Sequence, residues 1–108
     1  MNVKELKEKL KLKGAAIIDR SGIIEDDALP DTVNRELFSV MCATVYGAAN
    51  TINSGVLKNN TKNIKVESND DNILISPYND RHFVVVIASK TRNIDNFDLK
   101  TLLSDKHD

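Results

Sequence analysis

The sequence predicts an α/β fold in which one β-sheet carries helices on both of its faces. Residues 37–57 contain no Asp, Glu, Lys or Arg and are long enough for a helix of about six turns. The run FVVVIA at residues 83–88 is apolar at every position, which is typical of a central strand that is covered on both sides. Residues 64–76 show the pattern of a β-hairpin, because two strand-like runs flank the polar turn at residues 69–72. The element order read from the chain is helix, two strands, helix, three strands, helix.

Composition limits the possible function classes. With 108 residues, of which 41% are hydrophobic, the chain is expected to form a single domain over residues 1–108. A formal net charge of -1 argues against nucleic acid as a partner. The chain has one cysteine, Cys42, and no apolar leader, so a cytoplasmic location is expected. The charge-free window contains polar residues such as Asn50 and Asn53, which exclude a membrane span.

The first three elements are predicted from short signals. Residues 3–10 repeat apolar positions at spacings of three and four, which predicts an amphipathic helix ended by Gly14. Residues 15–19 and 23–27 are predicted to form a hairpin, with Asp19 and Gly22 as the first and fourth residues of a type I turn. The second of these strands ends in acidic residues, which is typical of an edge strand.

The long helix is predicted from residue 32 to residue 54. Asp31 is expected to cap its N-terminus and Gly55 to end it in a left-handed conformation. A broad apolar arc is expected to face the protein's own sheet, and it contains Leu37, Phe38, Met41, Val45, Ala48, Ala49, Ile52 and Val56. The opposite, outward side carries small or neutral residues, namely Ser39, Ala43, Tyr46, Gly47, Asn50 and Ser54.

The C-terminal half is predicted as three strands and a closing helix. The strands are expected at residues 64–68, 73–76 and 82–89. Asp95 is expected to cap the last helix, with Ile94 and Leu99 in contact across its first turn, and with Leu102 and Leu103 facing inward.

The sequence offers no set of residues for catalysis. His82, His107 and Cys42 are scattered singly, so no metal site is expected, and His82 is interpreted as solvent-facing. No phosphate-binding glycine motif occurs, so no nucleotide site and no cofactor are expected. The chain is therefore predicted to be a binding protein rather than an enzyme.

The sequence resembles the Roadblock/dynein light chain family. The resemblance rests on the strand GAAIID, a turn with glycine, the uncharged helix FSVMCATVYGAANTI, the hairpin IKVESNDDNILISP and the strand HFVVVIAS. The resemblance covers the chain from about Gly14 to the closing helix. The chain is similar to the short, single-domain form of the family found in prokaryotes, most closely the archaeal form. The resemblance implies a three-layer αβα sandwich, related to profilin in shape, with a five-stranded antiparallel sheet in the order 2-1-5-4-3.

The resemblance also implies that the protein forms a homodimer. In the family, two copies pair through the long helix and the third strand, which gives a continuous ten-stranded sheet. The residues expected at this dimer interface are Ser39, Ala43, Tyr46, Gly47, Asn50, Ile64 and Val66. Four of them, Ser39, Ala43, Gly47 and Asn50, bring small side chains to consecutive turns of one helix face, so two such helices could approach closely with Tyr46 packing beside them.

The function implied by the resemblance is that of a non-catalytic scaffold. Family members dock small Ras-like GTPases or regulate their nucleotide cycle, and the bacterial motility type is the nearest functional analogue. Two alternatives stay open: a small-molecule sensor domain of profilin-like, PAS or GAF shape, and a structural subunit that pairs with a Roadblock paralogue. Fold alone does not decide among them.

Overall fold

The fold is that of a computed structural model, which describes residues 1–93 and 98–104. Three helices have the bounds α1 Val3–Leu10, α2 Arg35–Asn50 and α3 Leu99–Ser104, and α2 continues directly into a π-helix at Thr51–Val56. Five strands have the bounds β1 Gly14–Asp19, β2 Ile24–Asp27, β3 Ile64–Glu67, β4 Asp71–Pro77 and β5 His82–Ser89. The predicted element order is confirmed.

The five strands form one antiparallel sheet in the order β2-β1-β5-β4-β3. In the centre, Val84 of β5 lies opposite Ile17 of β1, and Val85 lies opposite Ile75 of β4. The order confirms the prediction, including the central position of the aliphatic strand. It leaves β2 and β3 as the two edges, each paired with one neighbour among the described residues.

The core is divided into two layers by the sheet. Alternate residues of β5 belong to different layers, because successive side chains in a strand point to opposite faces. Val84, Val86 and Ala88 pack with α1 and α3 in the first layer. Phe83, Val85 and Ile87 pack under α2 in the second. The molecule is therefore the predicted three-layer αβα sandwich.

The first helix ends earlier than expected. Asn2 and Glu5 form a capping box at its start, each side chain bonding the other residue's backbone N–H. Lys11, with φ of 56°, takes the left-handed conformation at its end, a position predicted for Gly14. Gly14 instead opens β1, where a Cβ atom would lie 3.0 Å from Cδ of Pro30. That glycine is needed for close approach of two chain segments rather than for a helix cap.

The hairpin between β1 and β2 has the predicted turn. The backbone N–H of Gly22 donates to the carbonyl oxygen of Asp19 over 3.0 Å. Oδ1 of Asp19 accepts from the Ser21 hydroxyl and from the backbone N–H groups of Ile23 and Ser21. The hydroxyl first, and then these backbone bonds, lower the pKa of the Asp19 carboxyl. Gly22 has φ of 96°, a conformation that favours glycine.

Both ends of α2 differ from the prediction. Asn34, not Asp31, is the N-cap residue, and its side chain accepts from the backbone N–H of Leu37 over 3.1 Å. A turn closed by the Val33 N–H and the Pro30 carbonyl occupies the residues expected to start the helix. At the other end Gly55 lies inside the π-helix, and Lys58, with φ of 59°, is the left-handed residue.

The last elements follow the prediction closely where they are described. β5 has the predicted bounds, β3 ends one residue early, and β4 is longer by two residues at its start and one at its end. Leu99 and Leu103 are buried, as the inward side of α3 requires, and Leu102 is half-buried. The predicted cap Asp95 and its neighbour Ile94 lie outside the described residues. The side chain of Asp98 accepts from the backbone N–H of Thr101 at the start of α3.

Candidate protein interface

The outward side of α2 and its π-helix carries apolar side chains, most of them large. Six apolar residues, one of them an alanine, recur at spacings of three and four residues, and their sequence positions place them on one side of the helix. Together with Val66 of β3 they are called the apolar face here: Leu37, Met41, Val45, Ala48, Ile52, Val56 and Val66. All seven are exposed, and among the larger six the exposed fraction runs from 38% at Val45 to 68% at Val56. Apolar side chains in a continuous exposed row mark a surface that binds another molecule.

The inward side of α2 carries smaller residues. Ser39 and Tyr46 have exposed fractions of only 2% and 3%, and Cys42 is also buried. The Ser39 hydroxyl donates to the carbonyl oxygen of Glu36 over 3.2 Å, so its burial leaves no unsatisfied donor. The ring of Tyr46 stacks on that of Phe83 with centroids 4.8 Å apart, and the Arg20 guanidinium lies 5.5 Å from the Tyr46 centroid.

The prediction of which side of α2 faces the sheet was therefore wrong. Leu37, Met41 and Val45, expected in the core, point away from it, whereas Ser39 and Tyr46, expected outside, lie under the helix. Small side chains bring a helix close to a sheet, and one stacked aromatic pair fills the space that is left. Some positions agree with the prediction: Phe38 is half-buried against the core, Ala49 is half-buried, and Gly47 and Ser54 are exposed.

Strand β3 extends the apolar face to the edge of the sheet. Ile64 is half-buried and packs against the core layer under α2. Val66 points to the same side of the sheet because the two residues are two positions apart. Lys65 and Glu67 point to the other side, where their charged groups lie 3.6 Å apart. The α2 side of this edge is thus uncharged.

The seven predicted interface residues fall into three groups. Ser39 and Tyr46 are covered by the chain itself and cannot line an interface. Ala43 and Asn50 are half-buried on the flanks of α2, and Ile64 is half-buried in β3. Only Gly47 and Val66 are exposed, and a Cβ atom at Gly47 would meet no atom within 4 Å. Small size thus selected two residues of the sheet-facing side of α2 together with residues on its flanks and surface.

A signal that could have found the apolar face was present in the sequence. A helix without charges favours a cover on both sides, and the larger apolar residues give more free energy to whichever contact buries them. Hydrophobicity alone predicts that these larger residues face the core. The sheet beneath the helix is itself aliphatic, with Val85, Ile87 and Ile75 in the core layer on that side.

A hydrogen-bonded network fixes the segment that follows the π-helix. The Thr61 hydroxyl donates to the Asn50 side-chain oxygen over 3.0 Å and accepts from the Asn53 amide over 3.0 Å. This holds the connection to β3 against the end of α2. The helix and the edge strand, which share the apolar face, are therefore fixed relative to each other.

The described residues offer little for chemistry. Within residues 1–93 and 98–104 no three His, Cys, Asp or Glu side chains could together hold a metal ion. Burial raises the pKa of the Cys42 thiol to about 11, so it is not a nucleophile at neutral pH. The His82 ring is mostly buried rather than solvent-facing, between the Glu25 carboxylate and Oδ1 of Asn79. In the same ranges no helix has both the length and the apolar character needed to cross a membrane.

Comparison with solved structures reveals the fold type. MglB from Myxococcus xanthus superposes with a TM-score of 0.79 at 16% identity, over 91% of this chain and 80% of that one. An MglB with a tetrameric arrangement gives 0.77 at 11% identity, over 94% and 76%. A Roadblock/LC7 domain from Streptomyces avermitilis gives 0.74 at 11% identity, over 86% and 82%. The chain has the Roadblock fold.

The sequence itself matches no protein-family model and no curated protein. Identities of 11 to 16% to the solved structures mean that the likeness is one of fold. It supports the resemblance drawn from the strand, turn and helix pattern, and it has no bearing on an archaeal source.

Proposed function

We propose that the protein is a non-catalytic, homodimeric scaffold of the cytoplasm that binds a small Ras-like GTPase and modulates or localises it. The observation that carries the proposal is the apolar face, because α2 exposes its larger apolar side chains while it buries its smaller ones. That arrangement supports a second partner for the helix outside its own chain.

The first part of the proposal is that the second partner is another copy of the chain. Between Glu36 and Lys58 there is no charged residue, so two copies of this helix face no like-charge repulsion at their contact. An isologous pair places the same patch of both subunits in contact around a two-fold axis. Strand β3, at the adjacent edge of the sheet, would pair with its own copy and close that edge.

The solved relatives support an assembly of this kind. One MglB structure has a tetrameric arrangement, so a protein of this fold associates with itself. In the pairing proposed for this chain, Leu37, Met41 and Val45 lie at the centre and Val66 lies beside the paired strands. Among the five helix residues predicted at the interface, Gly47 is the exposed one.

The second part of the proposal is the GTPase. It rests on the Roadblock fold and on the family resemblance, whose members dock Ras-like GTPases. The chain itself has no glycine-rich phosphate loop, and its described residues hold no carboxylate cluster for a metal ion. A role in a nucleotide cycle would therefore be exerted on a separate protein.

The test is a binding titration between the purified protein and each Ras-like GTPase of the source organism. The GTPase is loaded once with GDP and once with a non-hydrolysable GTP analogue, and heat of binding is measured. We expect binding in at least one nucleotide state, and no binding of GTP by the scaffold alone. Absence of binding in both states, with an intact dimer, would favour the structural subunit that pairs with a paralogue.

A further inference from the structure

A groove lies on the flank of α2 that faces β2. One wall is the turn at residues 21–24, and the other is formed by Arg35, Glu36, Ser39 and Val40 of α2. The groove has a volume of about 340 Å³. This volume accommodates one or two side chains of a binding partner and is at the lower end of the range for ligand pockets.

Gly22 brings the two walls together. A Cβ atom at this residue would lie 3.1 Å from Cα of Val40, so the turn touches the backbone of the helix directly. The turn is held from within by the Asp19 carboxylate, which accepts from Ser21 and Ile23. The groove is therefore formed before any partner arrives, which lowers the entropy cost of binding.

The groove has an apolar rim that the apolar face does not explain. Ile23 is 66% exposed, and Val40 is also exposed. At 3.6 residues per turn Val40 lies about 60° around α2 from Leu37 and about 140° from Val45, so it borders the apolar face. Strand β2 is at the opposite edge of the sheet from β3. A second copy that covers the apolar face through α2 and β3 thus leaves the β2 wall of the groove, with Ile23, uncovered.

Two acidic residues lie at the groove. Glu36 is in its wall and Asp26 lies two residues after Ile24 on β2, whereas Glu25 pairs with His82 outside the groove and the Arg20 guanidinium lies over the Tyr46 ring. The basic residue of the wall, Arg35, is already engaged, since its Nε donates to Oδ2 of Asp27 over 3.1 Å and its Nη2 donates to the Leu29 carbonyl over 3.2 Å. Within residues 1–93 and 98–104, Asp26 and Glu36 make no ion pair.

We propose that this groove receives an aliphatic side chain flanked by Lys or Arg on the surface of the GTPase. The inference rests on the proposed function and locates the contact with the GTPase on the surface of this protein. The aliphatic side chain would pack against Ile23 and Val40, and the flanking cation would lie near Glu36 and Asp26. The acidic rim favours a basic partner surface by charge complementarity and speeds its association.

The experiment compares three forms of the dimer in titrations with the GTPase loaded with a non-hydrolysable GTP analogue. These are the wild type, Ile23→Ser, and Leu57→Ser as the matched control. Leu57 is an aliphatic residue of similar exposure, 57%, at the other end of the long helical segment. Circular dichroism and light scattering establish that each form is folded and dimeric. A fourth form, Glu36→Gln, tests the acidic rim.

We expect Ile23→Ser to weaken binding by about ten- to a hundredfold, since it removes the burial of one aliphatic side chain. Leu57→Ser should change affinity by less than about twofold, within the range for surface substitutions. Glu36→Gln should lower the association rate, and this effect should fade at high salt.

Two other outcomes overturn the proposal in different ways. If the wild type binds the GTPase and Ile23→Ser binds equally well, the groove is not the contact and the proposed function stands. If the wild type binds no GTPase in either nucleotide state, the proposed function fails and the groove inference fails with it.

Discussion

The two sides of α2 differ in a way that is opposite to the usual amphipathic helix. The inward side, with Ser39 and Cys42, is small and partly polar, and it is buried. The outward side, with Leu37, Met41 and Ile52, is large and apolar, and it is exposed. In an ordinary surface helix the larger apolar side chains face the core.

The difference shows that packing on the sheet and an exposed apolar surface can use different side chains of one helix. Close packing on a sheet is served by small residues and one well-placed ring, here Tyr46 on Phe83. The larger side chains stay exposed, so their hydrophobic free energy is available for the contact with a second copy that we propose. Substitutions on the two sides should accordingly affect different properties, namely folding for the inward side and association for the outward side.

The largest effect on folding is expected from Tyr46→Ala. The change removes the stack on Phe83 and the contact with Arg20 and leaves a cavity under α2. The free energy of unfolding should fall by about 3–5 kcal/mol, as for other buried aromatic truncations. Urea denaturation measures it. Thr44→Ala, on the exposed side two residues earlier, is the control and should change stability by less than about 0.5 kcal/mol.

Cys42 gives a second test of the inward side. A pKa of about 11 makes its thiolate roughly a hundredfold rarer at pH 8 than that of an ordinary cysteine with a pKa of 9.0. Iodoacetamide should therefore label the native protein very slowly and the urea-unfolded protein fast, as followed by mass spectrometry. Since the folded state holds the thiol proton more tightly, this group also reduces stability as the pH rises from about 9 to 11. Fast labelling of the native protein would show that Cys42 is not buried between α2 and the sheet.

A smaller effect is expected where the β1–β2 turn meets α2. Gly22→Ala places a Cβ at 3.1 Å from Cα of Val40 and forces a left-handed conformation on alanine. The cost should be about 1–2 kcal/mol in unfolding free energy. Gly14→Ala, which would place a Cβ 3.0 Å from the Pro30 ring, is a useful comparison, since it strains packing without the positive φ. If Gly22→Ala were neutral, the turn would not rest on the helix and the groove would not be preformed.

Gly47→Ala should have the smallest effect, and its sign distinguishes two arrangements of the dimer. In one chain a Cβ at this exposed helical position meets nothing within 4 Å, so alanine should stabilise the fold by about 0.5–1 kcal/mol. Thermal unfolding at two protein concentrations measures this. A loss of stability that grows with protein concentration would instead place Gly47 in close contact with the second copy.

The sheet could be predicted from the sequence because its signals are local. The run FVVVIA identified the central strand, and Asp19 with Gly22 identified the first turn. Each of these patterns is read from four to six consecutive residues, without reference to distant parts of the chain. The strand order came from the family resemblance rather than from the residues.

The orientation of α2 could not be predicted by the same reasoning. Hydrophobic periodicity identifies an apolar side of a helix but does not say whether the chain's own sheet or another molecule covers it. Whether Met41 and Val45 face the sheet or solvent depends on how the whole helix packs on the sheet. The helix start was missed for a related reason, since Asp31 and Asn34 both have capping side chains and a local turn decides between them.

The central claim is that a second copy of the chain covers the apolar face. Light scattering coupled to size exclusion at micromolar concentration tests this claim on the wild type and on Met41→Glu. Lys4→Glu, at an exposed position of α1, is the control. We predict twice the 12.0 kDa of one chain for the wild type and the control. Met41→Glu should be a folded monomer of 12.0 kDa, because an unpaired buried carboxylate costs several kcal/mol, on the order of the binding free energy itself. A wild-type mass of 12.0 kDa, or a Met41→Glu that stays dimeric, would contradict the claim.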